Sequence, residues 1–250
     1  MIRLEHINKI FNASTPNENR LFENFNFEIN KGDYIIVVGS NGSGKSTLLN
    51  LLAGTQLPDS GKILLDEKEI TRLRDYQRSK YMARIFQNPL IGTAPDLTII
   101  ENFRLASLRT TLKRLTIGTN KKFRSHIMER IATLKLGLEN KLDMPMGLLS
   151  GGQRQALTLL MATMDETQLL LLDEPTAALD PATTQLVMSL TNSIIQEFSL
   201  TALLVTHNMN DVIRHGNRVL HLDRGRIIHD LDMKMKSNLK IQDVFNWFGQ

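Results

Sequence analysis

Short apolar runs that predict strands alternate with segments that predict helices along most of this 250-residue chain. The run Tyr34–Val38 is apolar throughout and predicts a buried strand, and the segment 46–53, followed by Gly54, predicts a helix. The predicted strands are residues 3–10, 25–29, 34–38, 62–66, 81–86, 168–172 and 202–206, and later helices are predicted from about residue 152 and over 181–198. This alternation predicts an α/β protein whose parallel sheet is covered on both faces.

A helical pattern occupies the middle of the chain, from about residue 98 to residue 142. Apolar residues recur there at the spacing of one helix face, namely Ile127, Ile131, Leu134 and Leu138. Pro145 and Gly147 then interrupt the pattern. We therefore expect a helical subdomain over about residues 88–149, inserted into a core that is formed by residues 1–87 and 150–230.

The last twenty residues, 231–250, predict a C-terminal tail helix. Apolar residues fall on one face of this helix, namely Ile241, Val244, Phe245 and Phe248. The only tryptophan of the chain, Trp247, lies beside them. The helix is expected either to pack on the core or to contact a partner.

A glycine-rich loop lies between the first predicted buried strand and its helix. It fits the pattern G-x-x-x-x-G-K-[ST], in which backbone N–H groups and a helix N-terminus surround phosphates. In such a loop Lys45 reaches the β- and γ-phosphates, and the Ser46 hydroxyl can bind Mg²⁺. The expected phosphate-binding residues are Gly39, Ser40, Asn41, Gly42, Ser43, Gly44, Lys45, Ser46 and Thr47. The loop therefore predicts that the chain binds a nucleoside triphosphate.

Two carboxylates end the apolar strand that is predicted near residues 168–172. Asp173 is placed to hold Mg²⁺ beside Ser46, directly or through water. Glu174, one residue on, points to the opposite side from Asp173 and can polarise an attacking water as a general base. The alternative is a pair of solubilising surface acids, which a phosphate loop upstream disfavours.

A second candidate anion-binding segment begins the helix near residue 152. Ser150 is a good N-cap residue, and the two glycines that follow it leave backbone N–H groups bare, before Gln153. One chain therefore carries two phosphate-binding segments. Two copies that face each other would hold one γ-phosphate from both sides.

The composition narrows the class of protein. The chain has no Cys, which excludes disulfides, thiolate metal sites and a Cys nucleophile, and fits a reducing compartment. No apolar run is long enough to span a bilayer and no signal-peptide pattern opens the sequence, so we expect a soluble chain. The net charge of +4 gives no general case for nucleic acid as a partner, and none is expected.

The charge is uneven along the chain. Residues 104–147 carry ten Lys and Arg against three acids. This stretch is either a solvated helical surface or a basic face that meets anionic lipid or a partner.

The order of the motifs resembles that of the ATP-binding cassette family, the nucleotide-binding subunits of ABC transporters. Six segments carry the resemblance: residues 39–47 as Walker A, Gln87 as the Q-loop, 149–153 as the signature, 169–174 as Walker B, Ala178-Leu179-Asp180 as the D-loop, and His207 as the switch histidine. The resemblance covers roughly residues 2–230. It implies a P-loop NTPase core with a parallel or mixed sheet, an N-terminal antiparallel β region and an inserted α-helical subdomain, in an ABC ATPase domain that spans 1–230.

The resemblance also implies roles for single residues. Phe11 would stack on adenine, unless it ends its strand as a core residue. Gln87 would sense Mg²⁺ and the attacking water, and His207 would contact the γ-phosphate and orient Glu174. Ser150, Gly151, Gly152 and Gln153 would complete the site of a partner chain, and Asp180 would contact the opposing phosphate loop. The implied cofactors are ATP and Mg²⁺, with Lys45, Gln87, Glu174 and His207 as catalytic residues and Ser46, Gln87 and Asp173 around the metal.

The implied partners are separate transmembrane permease subunits and a second copy of the chain in the presence of ATP. An extracytoplasmic substrate-binding protein would be an indirect partner, and the chain would lie on the cytoplasmic face of the cell membrane. Residues 159–164 depart from the family, which often has Ala-Arg-Ala after the signature, and 87–98 has an extra Pro and Gly. Segment 87–98 looks most like that of ATPase subunits that work with periplasmic substrate-binding lipoproteins. The resemblance is to systems for amino acids such as tryptophan or tyrosine.

The expected function is ATP binding and hydrolysis that energises solute transport through separate membrane subunits, with import as the expected direction. An alternative is a soluble ABC ATPase without transport. Repair members carry long coiled coils or zinc cysteines and translation members carry two cassettes, which this chain lacks, but iron–sulfur assembly members are single cassettes and stay open. A phosphate-loop kinase or GTPase is disfavoured by the signature segment and the helical insertion.

The segment 87–98 also offers a candidate docking site. It places apolar residues between turn formers, namely Pro89, Leu90, Ile91 and Leu97. They predict either a groove for a short helix of a membrane subunit or the filling of the interface between core and helical subdomain.

Overall fold

The computed structural model describes residues 1–88, 90–109, 118–165, 167–177 and 179–248. These residues form ten strands: Ile2–Phe11 (β1), Asn19–Ile29 (β2), Tyr34–Val38 (β3), Ser60–Leu65 (β4), Lys68–Glu69 (β5), Met82–Ile85 (β6), Leu169–Asp173 (β7), Thr201–Val205 (β8), Arg218–Asp223 (β9) and Arg226–Leu231 (β10). They also form nine α-helices: Lys45–Ala53 (α1), Asp75–Arg78 (α2), Ile99–Ala106 (α3), Lys121–Ala132 (α4), Gly151–Ala162 (α5), Pro181–Glu197 (α6), Met209–Arg214 (α7), Met233–Lys236 (α8) and Ile241–Phe248 (α9).

The strands belong to two sheets. An antiparallel sheet near the N-terminus has the order β2-β1-β4-β5, and a six-stranded sheet has the order β10-β9-β3-β8-β7-β6. In the larger sheet five strands run parallel, and only β10, at one edge, pairs antiparallel with its neighbour. The predicted α/β class is therefore confirmed, together with the mixed sheet and the antiparallel N-terminal region.

The strands β3, β7 and β8 lie in the middle of the core because their side chains are apolar on both faces. Along β3, Ile36 and Val38 pack with α5 and α6, whereas Ile35 and Val37 pack with α1 and the antiparallel sheet. All four side chains are fully buried. A parallel strand that is covered on both faces needs such a continuous apolar run, and its carboxyl end is then held rigidly at one edge of the sheet.

The predicted helical pattern in the middle of the chain is only partly correct. It contains α3 and α4, and Ile127 and Ile131 are buried on α4 as predicted. The prediction was wrong beyond Ala132, because Lys135 and Gly137 have φ angles of 55° and 67°, in the left-handed region that ends a helix. Leu134 and Leu138 are nevertheless buried, as parts of a turn. In the part of the chain that the structure describes, no helix has the length and apolar character needed to cross a bilayer.

The basic stretch 104–147 divides into two kinds of side chain. Its described lysines are exposed, namely Lys121, Lys122, Lys135 and Lys141. Its described arginines are half-buried and have protein partners, as when Arg124 pairs with Asp143 at 2.6 Å and Arg109 with Asp165 at 3.4 Å. Lys113 and Arg114 lie outside the described residues. Much of the basic character therefore serves packing within the helical region.

The C-terminal helix α9 packs through only part of the predicted apolar face, together with its tryptophan. Val244 is fully buried, and the Trp247 ring stacks on His221 and His229 with centroid distances of 5.0 and 4.9 Å. Ile241 and Phe245, which were expected either to pack on the core or to contact a partner, are 50% and 57% exposed and do not pack on the core. The helix is attached to the β9–β10 hairpin by its tryptophan.

Candidate nucleotide-binding site

The glycine-rich loop joins the carboxyl end of β3 to the start of α1. Gly42 and Gly44 have φ angles of 80° and 109°, which glycine adopts without strain. A Cβ on Gly39 would lie 2.1 Å from the carbonyl oxygen of Leu222, so the loop is in close contact with β9. The chain thus leaves β3, turns tightly and presents the N-terminus of α1, as a phosphate-binding loop requires.

Lys45 is held inside this loop. Its Nζ donates hydrogen bonds to the carbonyl oxygens of Gly39 and Ser40, at 2.8 and 2.9 Å. Burial lowers the pKa of Lys45, and the carboxylates of Glu174 and Asp173 partly offset that effect. The ammonium group therefore faces both the loop and the acidic end of β7. A nucleotide phosphate in the loop would replace these two carbonyl oxygens as the hydrogen-bond acceptor of Nζ.

The remaining loop side chains differ in exposure. Ser40, Asn41 and Ser46 are exposed, and Thr47 is half-buried. Ser43 is buried, and its Oγ makes no hydrogen bond with any described residue. The exposed hydroxyl of Ser46, at the first turn of α1, is available to a ligand.

The acidic end of β7 brings two predicted catalytic residues together. His207 Nε2 lies 2.6 Å from Glu174 Oε1, so a hydrogen bond joins the switch histidine to the predicted base. Glu174 has a φ angle of 46°, and its N–H donates to the carbonyl of Val205 at 3.0 Å. A left-handed non-glycine residue costs roughly 1–2 kcal/mol. The fold thus holds Glu174 in a strained turn whose carboxylate is oriented by the imidazole.

The second predicted anion-binding segment begins α5. Ser150 Oγ accepts from the Gln153 N–H at 3.3 Å, and the Ser150 N–H donates to Gln153 Oε1 at 3.2 Å, which forms a capping box. Close packing of α5 against α6 also requires glycine at position 152, because a Cβ there would lie 2.1 Å from Thr183 Cγ2 on α6. A Cβ on Gly151 would lie 3.0 Å from Leu179 Cδ2.

The other predicted site residues lie at the ends of separate elements. Asp180 caps α6, and the Thr183 hydroxyl and backbone N–H hold its pKa below the usual range. Gln87 is exposed just after β6, and Phe11 is half-buried at the end of β1. Ala178 of the predicted D-loop lies outside the described residues. No hydrogen bond or ion pair of the described residues joins Phe11, Gln87, Asp180 or residues 150–153 to Lys45.

This arrangement can be compared with known proteins. A family model described as "ABC transporter" matches residues 22–177, more than half of the chain. The chain belongs to the ABC transporter family. It is an ATP-binding cassette that hydrolyses ATP, and the predicted family, transporter ATPase function and enzymatic class are confirmed. The non-transport alternative gains no support.

Two relatives and one solved structure illustrate the similarity of this cassette to others. The tyrosine transport ATP-binding protein of Clostridioides difficile (strain R20291) is 38% identical over 99% of this chain and 98% of its own length. The methionine import ATP-binding protein of Histophilus somni (strain 129Pt) is 34% identical over 91% of this chain and 64% of its own. A dimeric ATP-binding cassette in a post-hydrolysis state, bound to ADP and Pi, superposes with a TM-score of 0.78 at 26% identity, covering 93% of this chain and 99% of that chain.

The β9–β10 turn, which contacts the phosphate loop, was not predicted from the sequence. The turn between β9 and β10 touches it, since Ser40 Oγ donates to Asp223 Oδ1 at 3.3 Å and the Gly225 N–H donates to the Ser43 carbonyl at 2.9 Å. A Cβ on Gly225 would lie 1.5 Å from the Leu21 carbonyl oxygen. Two short segments rich in Val, Leu and Ile, on either side of Arg224-Gly225, form a hairpin signal that could have revealed it.

A second missed residue is Arg84 on β6. One of its guanidinium nitrogens lies 2.7 Å from Asp173 Oδ2, and the other donates to Asn50 Oδ1 at 2.6 Å. Arg84 is thus the direct partner of a predicted metal ligand. A single arginine between Ala83 and Ile85 in a short strand matches no motif, so the sequence offered no signal for this contact.

Proposed function

We propose that this cassette energises the import of an amino acid with an aromatic side chain. It would work as one of two copies that dock on separate transmembrane permease subunits, at the cytoplasmic face of the cell membrane. The 38% identity over almost the full length of a tyrosine transport ATP-binding protein supports the substrate class. An extracytoplasmic substrate-binding protein would deliver the cargo, because the cassette itself never contacts it.

The contact between Glu174 and His207 carries the chemical part of the proposal. Glu174 accepts a proton from the attacking water, and His207, hydrogen-bonded to it, fixes its orientation and donates to the γ-phosphate. Lys45 and the N–H groups of the loop stabilise the charge on the β- and γ-phosphates. Gln87 would sense the water, and Phe11 would stack on adenine.

Magnesium fits the oxygen donors at this site. Mg²⁺ is usually held by one or two carboxylates together with substrate phosphates, and not by a full protein cage. The described residues contain no group of three or more His, Cys, Asp or Glu that would form such a cage. Ser46 and Asp173, with Gln87 nearby in the proposed site, are the residues that would hold the ion. Bound Mg²⁺ would neutralise charge on the phosphates during transfer.

We further propose a division of the chain into functional parts. The ABC ATPase domain would span residues 1–230, with a core of 1–87 and 150–230 and a helical subdomain of about 88–149. Residues 231–250 would form the tail. The Gln155 side chain, which donates to the Phe86 carbonyl at 3.3 Å, links α5 to the end of β6 beside Gln87. Such a link would transmit movement at the nucleotide to the helical subdomain.

The active unit is proposed to be a head-to-tail dimer with two ATP molecules. Residues 150–153 of one copy would complete the site around Lys45 of the other. We expect that Lys45→Ala and Ser150→Arg chains, each nearly inactive alone, regain ATP turnover on mixing, because the mixed dimer keeps one intact composite site. Lys62 is an exposed lysine on β4, so Lys62→Ala should behave like wild type. A mixture of Lys45→Ala with Lys62→Ala gives the turnover expected when an inactive chain only dilutes an active one. Mixed chains that stay as inactive as the separate ones contradict the composite site.

The permease is proposed to dock on the turn that follows Gln87. Leu90 and Ile91 are 48% and 50% exposed, and the Asn88 side chain and carbonyl accept from their N–H groups at 3.0 Å. Apolar side chains that are half exposed leave surface that a partner can cover, and they do not fill an internal interface. Leu97 is half-buried, and Pro89 lies outside the described residues.

A charge on this turn tests the docking site. We expect Leu90→Asp with Ile91→Asp to leave ATP binding of the isolated cassette unchanged, and to abolish co-purification with the permease and uptake in cells, because a buried charge is costly at an interface. Ile228→Asp is the matched control, since Ile228 is 49% exposed on β10. Normal assembly and uptake with both turn positions charged would place the docking site elsewhere.

Uptake of labelled tyrosine, tryptophan, phenylalanine and methionine by cells that lack the chain tests the substrate class. The proposal expects selective loss of an aromatic amino acid, restored by the wild-type chain but not by Glu174→Gln. Loss of methionine uptake alone, or of none of the four, contradicts it.

A further inference from the structure

Asp173, the carboxylate that we propose as a metal ligand, already has a cation beside it. The Arg84 guanidinium lies 2.7 Å from Asp173 Oδ2, and their side chains are only 13% and 17% exposed. A carboxylate buried to this degree without a partner is costly, and the guanidinium offsets that cost. The charge that a magnesium ion would bring to this carboxylate is supplied by the protein itself.

Arg84 is fixed in this position from three sides. Its second terminal nitrogen donates to Asn50 Oδ1 at 2.6 Å, and the guanidinium lies over the Phe86 ring at 4.8 Å from the centroid. Asn50 is four residues beyond Ser46 on α1, so the two lie on the same helix face. The guanidinium therefore spans the gap between the helix that carries one proposed metal ligand and the strand that carries the other.

The local balance of charge decides what this placement does. The acidic end of β7 carries two carboxylates in sequence, Asp173 and Glu174, and the ammonium of Lys45 already interacts with both. Arg84 adds a second positive charge, in direct contact with Asp173. A fixed guanidinium in contact with one of the carboxylates repels a divalent cation. The repulsion between like charges grows as their separation shrinks, and it doubles when one of them is a divalent ion.

We propose that Arg84 closes the metal site in the nucleotide-free cassette, so that the divalent cation enters only together with the phosphates of ATP. The triphosphate brings the negative charge that outweighs the guanidinium, whereas Asp173 and Glu174 alone do not. Arg84 is in this sense a positioning residue that acts through Asp173. The inference rests on the proposed assignment of Asp173 as a metal ligand.

Binding of Mn²⁺, followed by its electron paramagnetic resonance signal, tests this inference without ATP turnover. Arg84→Gln keeps a hydrogen-bond donor for Asp173 and removes the charge. We expect the nucleotide-free Arg84→Gln chain to bind Mn²⁺ at least about tenfold more tightly than wild type. Arg84→Lys, which keeps the charge, should resemble wild type, and Arg84→Gln with Asp173→Asn should lose the gained affinity.

The possible results distinguish the closing role of Arg84 from the assignment of Asp173 as a metal ligand. Equal Mn²⁺ affinity of nucleotide-free wild type and Arg84→Gln, or weaker binding by the variant, overturns the closing role and leaves Arg84 as a support for the orientation of Asp173. With ATP present, unchanged Mn²⁺ binding by Asp173→Asn would instead reject Asp173 as a metal ligand. Should Arg84→Gln fail to fold, Arg84→Met, which also removes the charge and keeps the length of the side chain, should raise Mn²⁺ affinity in the same way. Unchanged affinity in that folded variant then contradicts the inference.

Discussion

Glu174→Gln is expected to lower the rate of ATP hydrolysis by about 10²–10⁴ and to leave ATP affinity unchanged. The amide has the shape of the carboxylate and can still accept the hydrogen bond that His207 makes at 2.6 Å, but it cannot take a proton from water. Binding and the arrangement of the strained turn are therefore kept while the chemical step is lost. The variant should accumulate as a dimer with ATP trapped inside.

Steady-state phosphate release and light scattering with ATP measure the two halves of this prediction. Glu129→Gln is the matched control, because Glu129 is exposed on α4, among the helices of the middle region. Hydrolysis by Glu174→Gln at the wild-type rate would show that another group acts as base. A folded Glu174→Gln chain that stays monomeric with ATP would count against the proposed dimer.

The parts of the site that depend on local sequence could be predicted from it. The glycine loop, the cap of α5 and the acidic end of β7 are each formed by residues that are close together in the sequence. Their conformations therefore follow from residue type and spacing. The structure begins α1 at Lys45 and α5 at Gly151, within one residue of the predicted starts. The Glu174–His207 contact also followed, but only through the family resemblance, which placed both residues at the γ-phosphate.

Contacts between distant segments could not be predicted in this way. Arg84 and Asp173 are 89 residues apart, and they meet because β6 and β7 are neighbours in the sheet. A strand order cannot be read from residue spacing. The same holds for Trp247, which stacks on two histidines of the β9–β10 hairpin, where helical periodicity alone had favoured Ile241 and Phe245 as the packed face.

The end of α4 illustrates a conflict between two signals. The apolar spacing from Ile127 to Leu138 continues one helix face, but Gly137 favours a helix end. The structure follows the helix-ending signal, with Lys135 and Gly137 at positive φ, and still buries Leu134 and Leu138. Burial was therefore predictable from the pattern, whereas the secondary structure that achieves it was not.

Lys45→Ala is expected to weaken ATP binding as well as turnover. Its ammonium would contact the β- and γ-phosphates in the bound state and in the transition state alike, and a hydrogen bond to a charged group contributes about 1.5–3 kcal/mol. That is about 10- to 100-fold in Kd. The effect on kcat/KM should be larger still, because charge grows on the transferred phosphoryl group.

Folding stability should respond far less to the same change. Burial lowers the pKa of Lys45, so the folded chain holds this charge at a cost that alanine removes, while the hydrogen bonds to Gly39 and Ser40 are lost. These effects oppose each other, and we expect Tm to move by less than about 4 °C, the shift that 1 kcal/mol produces in a chain of this size. Titration with a fluorescent ATP analogue and a thermal melt separate the two quantities, with Lys62→Ala as the exposed control. An unchanged affinity together with unchanged turnover would remove the assignment of residues 39–47 as the phosphate loop.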